Sequence, residues 1–240
     1  MKTAAVVIGA GDATGGAIAR RFAKAGFTAV CTRRTREALD PLIAEIEAKG
    51  HSAVGFGCDA RSEDDMIQLF DRVEREVGPI EVLVFNIGAN VNFQITETTA
   101  RVYRKVWEMS AFAGFLAGRE AARVMIPRET GTIIFTGATA SVRGGAGFSA
   151  FAGAKFALRA LAQSMARELG PKGIHVAHAI IDGAIDTAFI RDNFPERYKL
   201  KNMDGILDPD AIADAYFMLH SQPRSAWTQE LDLRPWIEKF

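Results

Sequence analysis

Lys155 closes the run Phe151-Ala-Gly-Ala-Lys155. Its ammonium can hold a hydroxyl or, in an apolar pocket that depresses its pKa, hand over a proton near neutral pH. Phe151, which opens the run, can do neither: a phenol at that place could give up or take a proton, and a benzene ring cannot. A second chemistry-bearing segment lies near the start of the chain, where Gly9-Ala-Gly11-Asp-Ala-Thr-Gly15-Gly16 follows the apolar stretch Ala4–Ile8. With a helix starting at its end, this loop would let backbone N–H groups approach a pyrophosphate without intervening side chains. Taken alone, such a loop also suits a tight strand-to-helix turn that binds nothing. The next apolar segment ends in Cys31-Thr-Arg33-Arg34. An acidic residue here favours a ribose hydroxyl, whereas an arginine pairs with a 2′-phosphate, so the segment favours NADP(H) over NAD(H). Asp12 opposes that preference by adding negative charge to the loop, and the two arginines also suit a solvated helix entrance.

These groups need a scaffold that gathers the ends of several segments. Short β-branched runs alternate with amphipathic stretches along the chain, the pattern of βαβ units in a parallel sheet covered on both faces. The pattern predicts strands over 4–8, 28–32, 53–57, 81–85, 132–136 and 175–181, and helices over 15–25, 36–49, 63–77, 99–126, 151–169 and 209–219. Thr35 is the expected N-cap of the second helix, while Lys49-Gly50 and Leu169-Gly-Pro171 supply helix stops. The expected class is α/β, a single doubly wound domain over 1–240. Residues 193–207 read as a polar, irregular cover within a substrate loop of about 190–207, followed by a tail over 221–240.

The 240 residues, 48% hydrophobic and 24% charged, are enough for one well-buried core. With 29 basic and 29 acidic residues and no like-charge block, neither nucleic acid nor an anionic membrane is the expected partner; a small molecule is. The first apolar stretch stops at glycine after five residues and reads as a strand rather than a secretion signal. No run approaches the roughly 20 apolar residues of a membrane span, so a soluble, cytoplasmic protein is expected. Cys31 and Cys58 lack metal-ligand spacing and read as reduced thiols near the ends of adjacent strands; with histidines scattered at 51, 175, 178 and 220, no metal site is expected.

Further motifs sit after later strands: Cys58-Asp59-Ala60, Asn86-Ile-Gly88-Ala89, and Asp182-Gly-Ala-Ile185-Asp-Thr187. Together with the glycine loop and the Lys155 segment, in this order and spacing over about residues 3–190, they resemble the short-chain dehydrogenase/reductase superfamily, whose fold is Rossmann-like. The resemblance implies that Gly9, Gly11, Asp12, Thr14 and Gly15 line the pyrophosphate, with Ala13 in place of the family's middle glycine. It implies that Asp59 and Ala60 meet the adenine edge, that Asn86 and Gly88 lie beside the adenine ribose, and that Ile185 and Thr187 meet the nicotinamide carboxamide. Arg33 and Arg34 would take the 2′-phosphate. Asp182 replaces the family's proline, and for Asp59 and Asn86 a turn residue bonded to its own backbone is the competing assignment.

In the family, tyrosine donates a proton, lysine lowers its pKa and holds the nicotinamide ribose, serine steadies the substrate oxygen and asparagine anchors a water chain. The resemblance implies that Lys155 keeps the lysine's place. Phe151 takes the tyrosine's place, Ala138 the serine's and Ser110 the asparagine's. Loss of a positioned general acid costs about 10²- to 10⁴-fold and loss of an oxyanion donor about 10²- to 10³-fold, non-additively. Thr139, Ser141, Asp182, Tyr103 and Tyr198 are candidate substitutes; Ser149, two positions before Phe151, faces another way. Two functions follow: an NADP(H)-linked carbonyl/alcohol oxidoreductase with an altered proton relay, or a silent cofactor-binding scaffold or partner subunit. A homodimer or homotetramer paired through the helices over 99–126 and 151–169 is expected from the family. The tail's aromatics suit either a subunit interface or packing on its own subunit.

Overall fold

Alternating side chains set the layers. In β1 (Ala4–Ile8), Ala4, Val6 and Ile8 enter one apolar cluster while Ala5 and Val7 enter another. The computed structural model describes residues 2–239 and carries this two-sided pattern through β2 (Thr28–Arg33), β3 (Ser52–Gly57), β4 (Ile80–Phe85), β5 (Gly131–Thr136) and β6 (Ile174–Ile181), while the edge strand β7 (Glu230–Leu233) packs Leu231 and Leu233 against the second cluster alone. The strands are parallel in the order β3-β2-β1-β4-β5-β6-β7. Helices α1 (Thr14–Lys24), α2 (Asp40–Ala48), α3 (Glu63–Glu76), α4 (Ala100–Trp107), α5 (Ala113–Met125), α6 (Ser149–Leu169), α7 (Ala188–Asn193), α8 (Pro195–Tyr198) and α9 (Pro209–His220) follow in chain order. Phe70 of α3, Leu116 of α5 and Leu158 of α6 cover one face; Phe22 of α1, Ile46 of α2 and Tyr216 of α9 cover the other. Burial on both faces explains why the strands are nearly all apolar, and the doubly wound α/β fold is as the sequence predicts. Strand order reverses between β1 and β4, which opens a crevice at their carboxyl ends.

Three local elements depart from the sequence reading. The helix expected over 36–49 is split: Arg36–Leu39 form a tight 3₁₀ turn, and α2 starts afresh with Pro41 in its first turn, where the missing N–H costs nothing. Thr35 consequently offers no side-chain cap. The helix over 99–126 widens into one π turn at Glu108–Phe112, centred on Ser110, between α4 and α5. The segment expected to be irregular over 193–207 instead holds the end of α7, α8 and a 3₁₀ turn at Lys199–Met203.

The tail packs on its own chain and adds β7, an element that its four residues Glu-Leu-Asp-Leu are too short to announce. Trp227 leads into it, its indole stacked on the ring of His175 at 4.9 Å between centroids. β7 also brings Glu230 against β6, where it meets His178 Nδ1 at 3.1 Å and accepts two hydrogen bonds from Arg159 of α6, each 2.6 Å. Burial pushes His178 down to about 4, and the Arg159 hydrogen bonds hold Glu230 below the usual carboxylate range. The unfolded chain therefore binds a proton at His178 that the folded chain refuses. Stability is lost as pH falls from the ordinary histidine value of 6.5 towards about 4. Urea midpoints measured across this window should fall by the equivalent of about 1–3 kcal/mol, and His178→Gln should make the fall shallower.

Candidate active site

The glycine loop bridges β1 and α1, and its shape is set by close approaches. Gly9 has φ +90°, and a β-carbon there would stand 2.9 Å from the Asn86 carbonyl oxygen. At Gly15 it would stand 2.2 Å from the Gly9 carbonyl oxygen, so only glycine fits. Gly11 is different: nothing lies within 4 Å of its would-be β-carbon, so the outer side of the loop is open. Ala13 stands before α1 and provides no side-chain oxygen to cap it, and Thr14 is the buried first residue of the helix. The N–H groups of Gly9, Ala10 and Gly11 are taken up by the Thr32 and Gly9 carbonyls, so the N–H groups of the first turn of α1 are the ones a pyrophosphate could meet. Asn86 braces the loop directly, its side-chain amide donating to the Gly9 carbonyl at 3.2 Å. Its amide is thereby bound across the switch point to the loop, not to its own turn.

Beside the loop, Ile8, Gly9, Thr32, Arg33, Arg34, Cys58, Asp59, Ala60, Arg61, Ile87 and Met109 line a cleft of about 180 Å³. Arg33 contacts Asp12 at 3.3 Å, and Arg61 grips Asp59 with hydrogen bonds of 2.9 and 2.5 Å, which lowers the Asp59 pKa. Arg34 enters no salt bridge among the described residues. Arg61 was not foreseen from the sequence; its signal is a cation two residues after Asp59, on the rim of the same cleft. Cys58 lies in the wall with its Sγ 3.5 Å from Met66 Sδ, and burial pushes both Cys58 and Cys31 up to about 12, so both are protonated thiols.

Lys155 lies on α6 at the far end of the crevice, 3% exposed. Its Nζ donates to the Thr136 carbonyl at 2.7 Å, at the end of β5, and to the Ile87 carbonyl at 3.2 Å, just after β4. Burial lowers its pKa to about 8. Gly88 lies beside it, its would-be β-carbon 3.9 Å from Nζ, an ordinary contact. Phe151, one turn earlier on α6, places its ring centroid 6.0 Å from Nζ. Phe151 belongs to an apolar cluster with Val106, Ala140, Ala150, Ala152 and Ala154, against which Ala138, Ala89, Val91 and Phe148 pack. Ser110 Oγ, in the π turn, is fully buried and bonds no protein group among the described residues. Phe151 and Ala138 thus form one apolar wall beside Lys155, with Ser110 buried separately in the π turn.

Of the polar residues suggested as substitutes, Thr139, Asp182 and Ser141 are bound to other groups. Thr139 donates a short hydrogen bond to Asp182, which is 4% exposed and lies 3.6 Å from Arg143 and 3.4 Å from Arg234. Ser141 Oγ accepts from the Ala138 N–H at 3.1 Å. Tyr103 packs between α4 and α6, where a β-carbon at Gly153 would stand 2.8 Å from its hydroxyl. Ser149 Oγ is buried without a partner among the described residues, and Tyr198 sits in α8 of the cover. Thr187 caps α7 by accepting from the Ile190 N–H at 3.1 Å, and Ile185 bridges to Leu207, so both fix the cover's entry. Arg234 could not have been assigned to this region from sequence, because only the pairing of β7 with β6 carries it to Asp182.

The family model described as short chain dehydrogenase matches residues 3–197. A crystal structure of a short-chain dehydrogenase from Rhodopseudomonas palustris is 51% identical, covers 98% of this chain and 99% of that one, and superposes with a TM-score of 0.84. A metagenomic short-chain oxidoreductase solved in complex with NADP is 26% identical, with 97% of each chain covered and a TM-score of 0.83. Zerumbone synthase of Zingiber zerumbet is 30% identical over 80% of this chain and 72% of its own. The chain belongs to the short-chain dehydrogenase/reductase family of oxidoreductases.

The two loop glycines separate folding from binding. Gly15→Ala should destabilise the protein by about 1–3 kcal/mol through its clash with the loop backbone. Gly11→Ala should leave the thermal midpoint unchanged while weakening dinucleotide binding, as read by thermal denaturation and by calorimetric titration with NADPH.

Proposed function

We propose that the protein binds NADP(H) along the crevice and transfers hydride at a site with no phenolic proton donor. The observation that carries this reading is the joining of Phe151 and Ala138 in one apolar wall beside a retained, buried Lys155. The glycine loop would hold the pyrophosphate, Asp59 and Ala60 the adenine edge, Asn86 and Gly88 the floor beneath the ribose, and Ile185 and Thr187 the carboxamide end. A bound nicotinamide would supply or accept the hydride. Lys155 would hold its ribose with the N–H left over from the Ile87 and Thr136 carbonyls. Arg34, without an ion-pair partner among the described residues, is the better placed of the two arginines for a 2′-phosphate, because Arg33 already contacts Asp12. The NADP-bound relative supports this preference. Exposed Trp107, Phe115 and Phe156 on the helices that family members pair support a homodimer or homotetramer.

Fluorescence titration tests the cofactor assignment. NADPH should bind more tightly than NADH, and Arg34→Ala should weaken NADPH by roughly ten- to a hundredfold, the worth of a charge-assisted hydrogen bond, while leaving NADH unchanged. Equal effects on both cofactors would remove Arg34 from the 2′-phosphate. The wall is tested by Phe151→Tyr combined with Ala138→Ser. NADPH-dependent reduction of simple ketones should rise by about 10²-fold or more over the parent protein if the two missing groups are what limits it. A double variant that binds NADPH and stays inert would mean that the site differs by more than these two side chains.

A further inference from the structure

A carbonyl that accepts hydride becomes an alkoxide, which needs a donor at its oxygen and then a proton. The wall at Phe151 and Ala138 offers neither. The hydroxyl next along the chain, Thr139, donates to Asp182, and Asp182 as an ion-paired carboxylate accepts hydrogen bonds. Ser141 is turned to the Ala138 N–H, and Lys155 directs two of its three N–H bonds to main-chain carbonyls. These groups are arranged for an acceptor that needs no proton from the protein.

We propose, resting on the nicotinamide-binding reading above, that this site reduces a cationic iminium (C=N⁺) compound in preference to a ketone or aldehyde. In an iminium the positive charge that activates the carbon is already present. Hydride addition forms the new C–H bond with two electrons from the reduced nicotinamide, which is left oxidised, while the C=N π pair becomes the lone pair of the product amine. The atoms and charges balance without a proton from the protein. No oxyanion develops, so the absence of a serine or tyrosine hydroxyl costs nothing. A benzene ring is also a better neighbour for a cation than for an alkoxide, because its face is the negative end of a quadrupole. Lys155 Nζ, 6.0 Å from the Phe151 ring centroid, is drawn instead to the Ile87 and Thr136 carbonyl oxygens, which offset its charge. Asp182, which Thr139 bonds, is shared with Arg143 and Arg234.

The test uses the full chain with two permanent cations, N-methyl-pyrrolinium and N-methyl-dihydroisoquinolinium, and their ketone counterparts cyclopentanone and tetralone. Protein loaded with 1,4,5,6-tetrahydro-NADP, whose uncharged ring cannot deliver hydride, is first titrated calorimetrically. At least one cation should bind about tenfold or more tightly than its ketone, and Phe151→Leu should remove most of that difference. With NADPH, the same cation should be reduced about 10²-fold faster than the ketone after correction for the uncatalysed reaction. At saturating NADPH, which keeps the ribose contact of Lys155 from limiting the rate, that rate should stay flat across the titration of Lys155 near 8, because a permanent iminium asks no proton of it. Loaded protein that shows no preference for either cation in binding and turnover, or a cation rate at saturating NADPH that falls as Lys155 deprotonates, overturns the proposal alone. Failure to bind tetrahydro-NADP or NADPH at all overturns both the proposal and the reading beneath it.

Discussion

The buried ammonium of Lys155 is the interaction on which the site's geometry depends. Two hydrogen bonds tie α6 to the end of β5 at Thr136 and to the chain leaving β4 at Ile87. These strands lie side by side, next to the point where strand order reverses. The cost of burying a cation is visible in its pKa, lowered to about 8, and the two carbonyl dipoles offset part of that cost. Because Phe151 and Gly88 are placed by the same helix and the same loop, the lysine fixes both the apolar wall and its opposite margin. Breaking its hydrogen bonds would leave a buried charge with no partner, which is why the residue matters to architecture.

From that anchor the crevice runs towards β2 and changes character. At the glycine loop, backbone groups and open space dominate; in the cleft beyond it, three arginines and Asp59 set a polar, cation-rich rim. At the other end, the chain after β6 carries Asp182, and Arg234 from the tail reaches it at 3.4 Å. Pro235 closes on Gly183, where a β-carbon would stand 2.8 Å from Pro235 Cδ. Arg197 of α8 pairs with Glu238 at 3.1 Å, so the same tail also holds the cover. The polar groups of this region are bound to one another, and the wall at Phe151 and Ala138 is left apolar between two polar ends.

What was legible in the sequence follows from which interactions are local. Period-two burial in strands such as Ala4–Ile8, and glycines with no room for a β-carbon, are written in residue type, so the doubly wound sheet and the tight turn from β1 into α1 were readable. Breaks inside helices were not. Thr35 looks like a cap, yet Pro41 moves the true helix start forward, and nothing in Glu-Met-Ser-Ala-Phe announces the π turn that buries Ser110. Long-range pairing was equally hidden: only the docking of β7 on β6 brings Glu230 to His178 and Arg159 and Arg234 to Asp182. The carbonyl oxygens that hold Lys155 leave no trace in residue type at all.

The central claim is that a nicotinamide sits against a wall with no proton donor, and a crystal structure of the protein with NADPH tests it most directly. The account predicts the nicotinamide beside Phe151, Ala138 and Lys155, with its ribose bonded to Lys155 Nζ and no side-chain hydroxyl within hydrogen-bond reach of the hydride-bearing face. A nicotinamide placed elsewhere, or a hydroxyl such as that of Tyr103 or Tyr198 carried into reach of that face, would contradict it.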